Sequence, residues 1–297
     1  MKRILFLFLI ASGLNSSFSQ TGFYPQPNIP VIQYGLISPL AWAGGMNDVS
    51  FSEIDLNQDG VKDLFVFEKD NGFYGTRFRI STYINNNVSG IVSYTYAPQY
   101  ISKFPKMKEF AILRDYNCDG KEDIFTYSTT GAAGLAVYTN ISTITGGLQF
   151  QLDYSLIMST YGGPPTNLYV AKVNQPGLDD VDNDGDLDVV TFPVIGNFME
   201  YHRNYAQENF GRCDTFVMQY TGGCWGHAYL NSYSNSAVLG ALCKMPVADP
   251  PYYEPQDAQH GMHSGSCMTL LDYDKDGDKE VINGDILSST QIGRAHV

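Results

Sequence analysis

The sequence has few basic residues for its length. Its 297 residues include 18 lysines and arginines against 31 aspartates and glutamates, which gives a formal charge of −13. Proteins that bind nucleic acid normally carry a basic surface, and anionic membrane surfaces attract basic segments. The composition therefore argues against nucleic acid and anionic lipid as partners. With 43% hydrophobic residues, the chain is expected to form one large or two ordinary globular domains.

Long apolar runs are also missing beyond the N-terminus, so we expect no membrane span. At the N-terminus, Lys2 and Arg3 precede an apolar run over residues 4–14, and Ser17 and Ser19 suit the −3 and −1 positions of a cleavage site. This pattern predicts a signal peptide over residues 1–19, with the mature chain beginning near Gln20; the alternative is a buried N-terminal helix. The mature protein is then expected to be secreted or attached at the outer cell surface.

Closely spaced CxxC pairs are absent, which argues against a zinc site. The G-x-S-x-G elbow and the zinc-protease helix motif are absent too. An exported protein can form disulfides, and the last four of its five cysteines lie in one stretch, where two bridges have three possible connectivities. Cys118 would then be left unpaired. The five cysteines are Cys118, Cys213, Cys224, Cys243 and Cys267.

The sequence does contain one acidic motif that is repeated four times. Each copy has an oxygen-bearing side chain at positions 1, 3, 5 and 9 and a glycine at position 6. So many like charges in one tight turn repel one another unless a cation lies among them. The copies, called loops 1 to 4, are DLNQDGVKD (55–63), DYNCDGKED (115–123), DVDNDGDLD (180–188) and DYDKDGDKE (272–280).

The spacing of the motif fits a calcium ion. Ca²⁺ takes six to eight oxygen ligands at about 2.3–2.6 Å in a flexible geometry, whereas Mg²⁺ demands a rigid octahedron and keeps several waters. Alternate residues at positions 1, 3 and 5 point inward, and glycine allows the sharp turn at position 6. The carbonyl of position 7 and the side chain of position 9 would complete the ligand set. The alternative is four solvated acidic turns without metal.

Short runs rich in β-branched and aromatic residues follow the loops, and they predict strands rather than the helix of an EF-hand. These runs are LFVFE, IFTYS, VVTFP and VING. A tyrosine followed by an asparagine recurs after loops 1 to 3, in residues 81–86, 136–140 and 199–204, and predicts a later strand of each unit. Repeats of about 60 residues with several short strands predict an all-β fold, specifically a β-propeller.

These loops, each followed by an apolar strand, resemble FG-GAP/VCBS-type repeats, as in the N-terminal β-propeller of integrin α-subunits. The resemblance covers residues 45–290 and rests on the loops, because the Phe-Gly and Gly-Ala-Pro signatures are not evident and Glu280 replaces the usual aspartate. It implies a Ca²⁺ in each loop, bound also by the carbonyls of Val61, Lys121, Asp186 and Asp278. The implied side-chain ligands are Asp55, Asn57, Asp59 and Asp63; Asp115, Asn117, Asp119 and Asp123; Asp180, Asp182, Asp184 and Asp188; and Asp272, Asp274, Asp276 and Glu280.

Two longer segments, RDYNCDGKEDIF and HSGSCMTLLDYDKDGDKEVINGDI, resemble secreted propeller proteins of the Bacteroidetes. Such proteins often end in a type IX secretion sorting domain, and no such domain is evident here. We interpret residues 292–297 (IGRAHV) as a non-native tail. The propeller repeats over residues 20–291 are therefore expected to be incomplete at the C-terminus.

The interval between loops 3 and 4 is longer than the others, and we interpret residues 205–267 as a cysteine-rich insertion. Its aromatic and histidine side chains are candidates for stacking on sugar rings or peptide side chains; the alternative is that they cover the hydrophobic top of a blade. His260 and His263 are expected to be structural or at the surface. The stacking candidates are Trp225, His227, Tyr229, Tyr252 and Tyr253.

Together these features predict an exported β-propeller in which Ca²⁺ is structural. We expect it to act as a binding or adhesion module for an extracellular glycan or protein, with no catalytic residues and no cofactor besides Ca²⁺. One alternative is a polysaccharide lyase or hydrolase built on the same scaffold, since paired carboxylates can cleave glycosidic bonds. Another is a structural stalk or adhesin segment without a ligand of its own.

Overall fold

Strands dominate the computed structural model, which describes residues 29–38, 40–46, 48–70, 77–193, 198–231, 236–241, 243 and 266–285. The predicted signal peptide (1–19) and tail (292–297) lie outside these residues, as do Tyr252, Tyr253, His260 and His263. The described helices are a 3₁₀ helix, Pro98–Lys103, and the short α1, Ala206–Phe210. The prediction of an all-β fold is confirmed. No helix in the described ranges is long and apolar enough to cross a membrane.

The first unit is a four-stranded antiparallel sheet in which each strand pairs with the next along the chain. Loop 1 connects its first two strands, and the register pairs Ile54 with Asp63 across the loop. The residues in the middle of the second strand are buried, which accounts for the apolar run that follows the loop in the sequence. The strands are β3 (Val49–Ile54), β4 (Asp63–Asp70), β5 (Arg77–Asn85) and β6 (Tyr94–Tyr96).

The second unit repeats this arrangement. Loop 2 connects the first two strands, and Arg114 pairs with Asp123 across it. The pairing between the third and fourth strands shifts register once, between Leu152 and Tyr154. The strands are β7 (Ala111–Arg114), β8 (Asp123–Tyr127), β9 (Leu135–Asn140) and β10 (Phe150–Tyr154).

The third unit has the same four strands and two more at its outer edge. Loop 3 lies between its first two strands, and α1 lies in the connection between its third and fourth. The added strands β11 and β12 come from the segment that precedes the unit, and β11 pairs parallel to β16. In chain order the strands are β11 (Met158–Thr160), β12 (Thr166–Asn167), β13 (Gly177–Asp179), β14 (Asp188–Thr191), β15 (Met199–Asn204) and β16 (Met218–Trp225).

The fourth unit is described as one antiparallel pair around loop 4, with Leu271 opposite Glu280. Two small hairpins form separate sheets: one precedes the first unit in the chain, and the other follows the third. The strands of the fourth unit are β19 (Ser266–Leu271) and β20 (Glu280–Asp285); those of the hairpins are β1 (Ile32–Gln33), β2 (Leu36–Ile37), β17 (Tyr229–Asn231) and β18 (Ser236–Val238).

Three hydrophobic cores lie between consecutive sheets. Adjacent residues of a strand point to opposite faces, so Ile124 packs towards the first unit while Phe125 packs towards the third. In the same way Val189 packs towards the second unit and Val190 towards the fourth. All four side chains are fully buried. The second strands therefore read as continuous apolar runs, because both of their faces are covered.

The first strands of the four units line one small cavity, with residues of β3, β7, β13 and β19 around it. Leu113 donates its backbone amide to Oγ of Ser52 at 3.1 Å, which links the first two units. Gly177 lies so close to Leu270 that a Cβ there would be 2.7 Å from Cγ of the leucine. The first strands of the described units therefore lie around this cavity, with glycine where two of them approach closely.

The disulfides differ from the expectation that Cys118 is left over. Cys118 bonds to Cys213, with 6.1 Å between their Cα atoms, and Cys224 bonds to Cys243. The free thiol belongs to Cys267. The expectation was wrong because it paired cysteines that are close in sequence. The fold instead places position 4 of loop 2 beside the connection between β15 and β16, 95 residues further on.

Candidate metal centres

The four loops share one backbone conformation. Position 4 has a positive φ of 59° to 63°, and the glycine at position 6 has a φ of 83° to 102°. The φ at position 4 lies within the small left-handed region that residues with a Cβ can adopt, whereas the φ at position 6 lies beyond it, where glycine alone is unstrained. The repeated glycine is therefore a requirement of the turn. The residues at position 4 are Gln58, Cys118, Asn183 and Lys275, and the glycines are Gly60, Gly120, Gly185 and Gly277.

Position 1 of each loop folds the turn around its carboxylate. In loop 1, Asp55 accepts the backbone amides of Asp59 at 3.1 Å and Gly60 at 2.9 Å. Loops 2 and 3 repeat both hydrogen bonds, and loop 4 repeats the one to the glycine. The carboxylate of position 5 accepts the amide of position 7 in all four loops. The acidic side chains of positions 1 and 5 are thus turned inward by hydrogen bonds to the loop backbone.

Oxygens of positions 1, 3 and 5 converge. In loops 3 and 4 the three carboxylates each offer an oxygen within 4.8 Å of the other two. In loops 1 and 2, the backbone amide of position 5 donates to two oxygens: Oδ1 of the aspartate at position 1 and Oδ1 of the asparagine at position 3. Oδ2 of Asp182 pairs with the guanidinium of Arg203, whereas Oδ1 of Asp182 and Oδ1 of Asp272 are buried without a hydrogen-bond partner. Such oxygens are suited to a hard cation.

Position 9 is placed differently. Its carboxylate is 0–2% exposed in every loop and accepts the backbone amide of position 2 at 2.7–3.1 Å. Among the described residues, no position-9 side chain belongs to the convergent groups of positions 1, 3 and 5. An ionised carboxylate has about four lone-pair sites, so position 9 retains capacity for a cation while it anchors the loop. These residues are Asp63, Asp123, Asp188 and Glu280.

The recurrent asparagine of the sequence has a structural role at the same point. The backbone amides of Asn85, Asn140 and Asn204 donate to Oδ1 of position 9 in their own units at 2.8, 2.7 and 2.7 Å. In the first two units the asparagine side chain also donates to the carbonyl of position 8 in the loop. The third strand of each of these units is thereby tied to its loop.

Burial and crowding shift the acidity of these groups. Loss of solvation raises the pKa of Asp123 to about 7 and that of Asp188 to about 8, and neighbouring loop carboxylates add to both shifts. Burial likewise raises the pKa of Asp63, and it raises that of Asp186 to about 6. Two backbone hydrogen bonds oppose the shift at each of the three position-9 aspartates. The buried acids of these loops therefore hold their protons to a higher pH than a solvated aspartate does.

Loop 3 differs from the others because an arginine from β15 lies against it. The guanidinium of Arg203 pairs with Asp182, Asp184 and Glu208, and it stacks over the ring of Tyr205 at 4.8 Å. The motif does not reveal this contact, because Arg203 lies 19 residues beyond Asp184. Arg203 immediately precedes the strand-ending asparagine Asn204. The residue at the corresponding position is Ile84 in the first unit and Thr139 in the second.

The loops lie side by side in chain order, at one end of the sheets. Each touches the next through a side chain at position 4 or 8. A cation site in one loop is therefore close to the next loop. The contacts are the Lys62–Glu122 ion pair, Sγ of Cys118 at 3.5 Å from the carbonyl oxygen of Gly185, and the hydrogen bond from Nδ2 of Asn183 to the carbonyl oxygen of Gly277 at 2.6 Å.

The aromatic candidates of the predicted insertion are partly built into the fold. Trp225 ends β16 and is 7% exposed in the core between the third and fourth units. It lines a pocket together with Glu200 and Tyr220. His227 is exposed and lies 3.3 Å from the sulfur of Cys243. Of the two interpretations of these side chains, the packing of Trp225 favours the hydrophobic cover.

Comparison of the sequence with protein-family models finds no match, and comparison with curated proteins finds none either. The resemblance to FG-GAP/VCBS repeats therefore stands on the residues of the loops. The structure adds to those residues a shared backbone and a shared place between the first and second strands of each unit.

Proposed function

We propose that this protein is an exported calcium-binding β-propeller of the FG-GAP/VCBS type, acting as a binding or adhesion module for an extracellular glycan or protein. One observation carries the proposal: four loops with the same donor spacing and the same backbone occupy the same turn of four successive units. Acidic turns that are only solvated would not have to share one backbone conformation. Loops that each bind the same kind of cation would, because the ligands of the cation must be held at fixed distances.

The arrangement of the sheets supports the propeller. Antiparallel units of four strands that follow one another in the chain are the blades of that fold. Here the innermost strands surround one cavity, and hydrophobic cores separate successive sheets. The Cys118–Cys213 bridge joins the second unit to the third, which fits an oxidising compartment outside the cytoplasm.

The donor set supports Ca²⁺ as the ion. Every proposed ligand is a hard oxygen, and Oδ1 of Asp182 and Oδ1 of Asp272 have no hydrogen bond to give up. Positions 1, 3 and 5 would hold the ion, while position 9 fixes the loop to the third strand. A bound divalent ion would supply the positive charge that the clustered carboxylates lack, so its role is structural.

The role as a binding module follows from the scaffold and is drawn from fold-level analogy. A rigid all-β body presents its connecting loops to partners. The competing proposal, a polysaccharide-active enzyme on the same scaffold, would instead use an acid outside the loops, such as Glu200 in the pocket beside Trp225.

Calcium titration calorimetry and thermal melting of the purified protein, with millimolar Ca²⁺ and with a chelator, test the metal. At a hundredfold excess over Kd, each site should add about 2.7 kcal/mol to the free energy of unfolding. A melt that is indifferent to calcium would refute the metal sites. A glycan array and a polysaccharide digestion assay on the calcium-loaded protein then separate the two roles: binding without turnover supports the module, and turnover that Glu200→Gln abolishes supports the enzyme.

A further inference from the structure

A second group of acidic side chains adjoins loop 3 and is not part of the repeated motif. Asp184, Asp186 and Glu208 each offer an oxygen within 4.8 Å of the other two. Asp184 is position 5 of the loop, Asp186 is position 7, and Glu208 lies on α1. The motif uses only the backbone carbonyl of position 7, so the side chain of Asp186 and the whole of Glu208 have no role in the repeat.

Asp186 provides the observation that points to a ligand. The residue is 2% exposed. Its Oδ2 accepts the backbone amide of Gln207 at 2.9 Å, which orients the carboxylate. Its Oδ1 is buried and has no hydrogen-bond partner. A buried carboxylate oxygen without a partner is costly unless a cation or donor reaches it, and the nearest acidic groups cannot serve as donors when they are ionised.

The charges around loop 3 leave room for more than one ion. Six carboxylates meet there, whereas one guanidinium, that of Arg203, pairs with three of them. Lys279 pairs with Asp179, the residue before the loop, at 2.9 Å, and its charge also acts on Asp180. With all six carboxylates ionised, one divalent ion would still leave an excess of three negative charges. The six are Asp180, Asp182, Asp184, Asp186, Asp188 and Glu208.

We propose that the third unit binds a second calcium ion, held by Asp184, Asp186 and Glu208 beside the ion of loop 3. The two ions would share the carboxylate of Asp184, and both would compete with Arg203 for its carboxylate partners. Three carboxylates on flexible side chains suit Ca²⁺, with waters completing its six to eight ligands. The inference rests on the proposed function because it shares Asp184 with loop 3.

The site is specific to the third unit. Position 7 is Val61 in loop 1 and Lys121 in loop 2, and neither can offer a carboxylate. Helix α1 has no counterpart among the described residues of the other units, so no residue there takes the place of Glu208. Loop 4 has Asp278 at position 7, but this side chain is exposed and belongs to no such group in the part of the chain that is described.

Ion counting on the full protein tests the proposal. Equilibrium dialysis against Ca²⁺, followed by elemental analysis, gives the number of ions bound per chain. Glu208→Gln should bind one ion fewer than the wild type, because it removes a ligand that is exposed enough for the variant to fold. Asp186→Asn should lose the same ion. Asp214→Asn is the matched control: it removes one charge from the same connection, where Asp214 pairs with Arg212 and not with Arg203.

A double variant separates this ion from the ion of loop 3. Asp182→Ala should remove the loop ion, because it takes away the side-chain oxygen that loops 1 and 2 retain as asparagine. Asp182→Ala combined with Glu208→Gln should therefore bind two ions fewer than the wild type. Loss of only one ion in the double variant would mean that both residues serve the same ion, and it would overturn the proposal. Equal numbers in Glu208→Gln and the wild type would overturn it while the loop sites stand. No bound calcium in the wild type would overturn the proposed function as well.

Discussion

The backbone amide of Asn204 donates a 2.7 Å hydrogen bond to Oδ1 of Asp188, and it joins the end of β15 to the last residue of loop 3. Asn140 and Asp123 are joined in the same way in the second unit. These carboxylates are fully buried. The last acid of the motif is therefore part of the fold itself, whereas the acids at positions 1, 3 and 5 surround the candidate ion. The two kinds of position should respond differently to mutation.

Asp123→Asn should destabilise the protein even in the presence of a chelator. The amide can accept one of the two backbone hydrogen bonds, but its NH₂ group meets the other backbone donor, which costs about 1–3 kcal/mol for a buried unsatisfied group. Thermal melting should show a fall of several degrees. Asp119→Asn is the control: it keeps its hydrogen bond to Lys121 and should lower calcium affinity while the melt in chelator is unchanged.

The metal-free protein should lose stability as the pH rises from about 4 towards 8. The pKa values of Asp123 and Asp188 are raised to about 7 and about 8 in the folded state, whereas an unfolded aspartate titrates near 3.9. In that interval the folded state holds protons that the unfolded state releases, so the free energy of unfolding falls with pH. Urea denaturation in chelator at several pH values measures the slope. Saturating calcium should flatten it, and a stability that rises with pH in chelator would contradict this account.

Arg203→Thr should have opposite effects with and without calcium. Threonine is the residue at the corresponding position of the second unit, Thr139. In chelator the variant should be less stable by about 1 kcal/mol, because partly exposed ion pairs are worth about 0.2–1 kcal/mol each. In the variant no guanidinium competes for the carboxylates of loop 3, so the third unit should bind its calcium ions more tightly. Calorimetric titration of both proteins measures the change, and equal affinities would show that the arginine does not compete.

The Cys118–Cys213 disulfide should contribute more to stability than the Cys224–Cys243 disulfide. It closes a separation of 95 residues against 19, and the stabilisation by a cross-link grows with the length of the loop it closes, at about 2–4 kcal/mol for typical bridges. Paired cysteine-to-serine variants of each bridge, compared by denaturant unfolding, test the order. Cys267→Ser is the control for the free thiol and should leave the unfolding midpoint unchanged.

Local features of the structure were predictable from the sequence because their physics is local. Glycine at position 6 follows from a turn with positive φ, and apolar runs such as IFTYS follow from strands that are covered on both faces. The asparagine that ends the third strand of the first three units recurs in the sequence after a tyrosine, so it could be recognised there. Its partner, the buried acid at position 9, was expected to act as a metal ligand, and the structure shows that it also anchors the loop.

Features that depend on contacts between distant parts of the chain were not predictable. The bond between Cys118 and Cys213, the approach of Arg203 to loop 3, and the meeting of Asp186 with Glu208 all join residues whose spacing carries no period. The first contact depends on the packing of the second unit against the third, and the other two depend on the return of β15 and α1 to loop 3 within the third unit. The added strands β11 and β12 belong here as well, since their parallel edge pairing comes from the path of the chain between units.

The bond from Cys118 in loop 2 to Cys213 beyond β15 also determines what a protease can release. Three strands of the second unit and five of the six strands of the third lie within the closed segment. A single cut anywhere between residues 119 and 212 leaves two fragments that remain covalently attached, whichever peptide bond is broken. On a gel without reductant such a nicked molecule would migrate as one chain, and the two fragments would separate only after reduction.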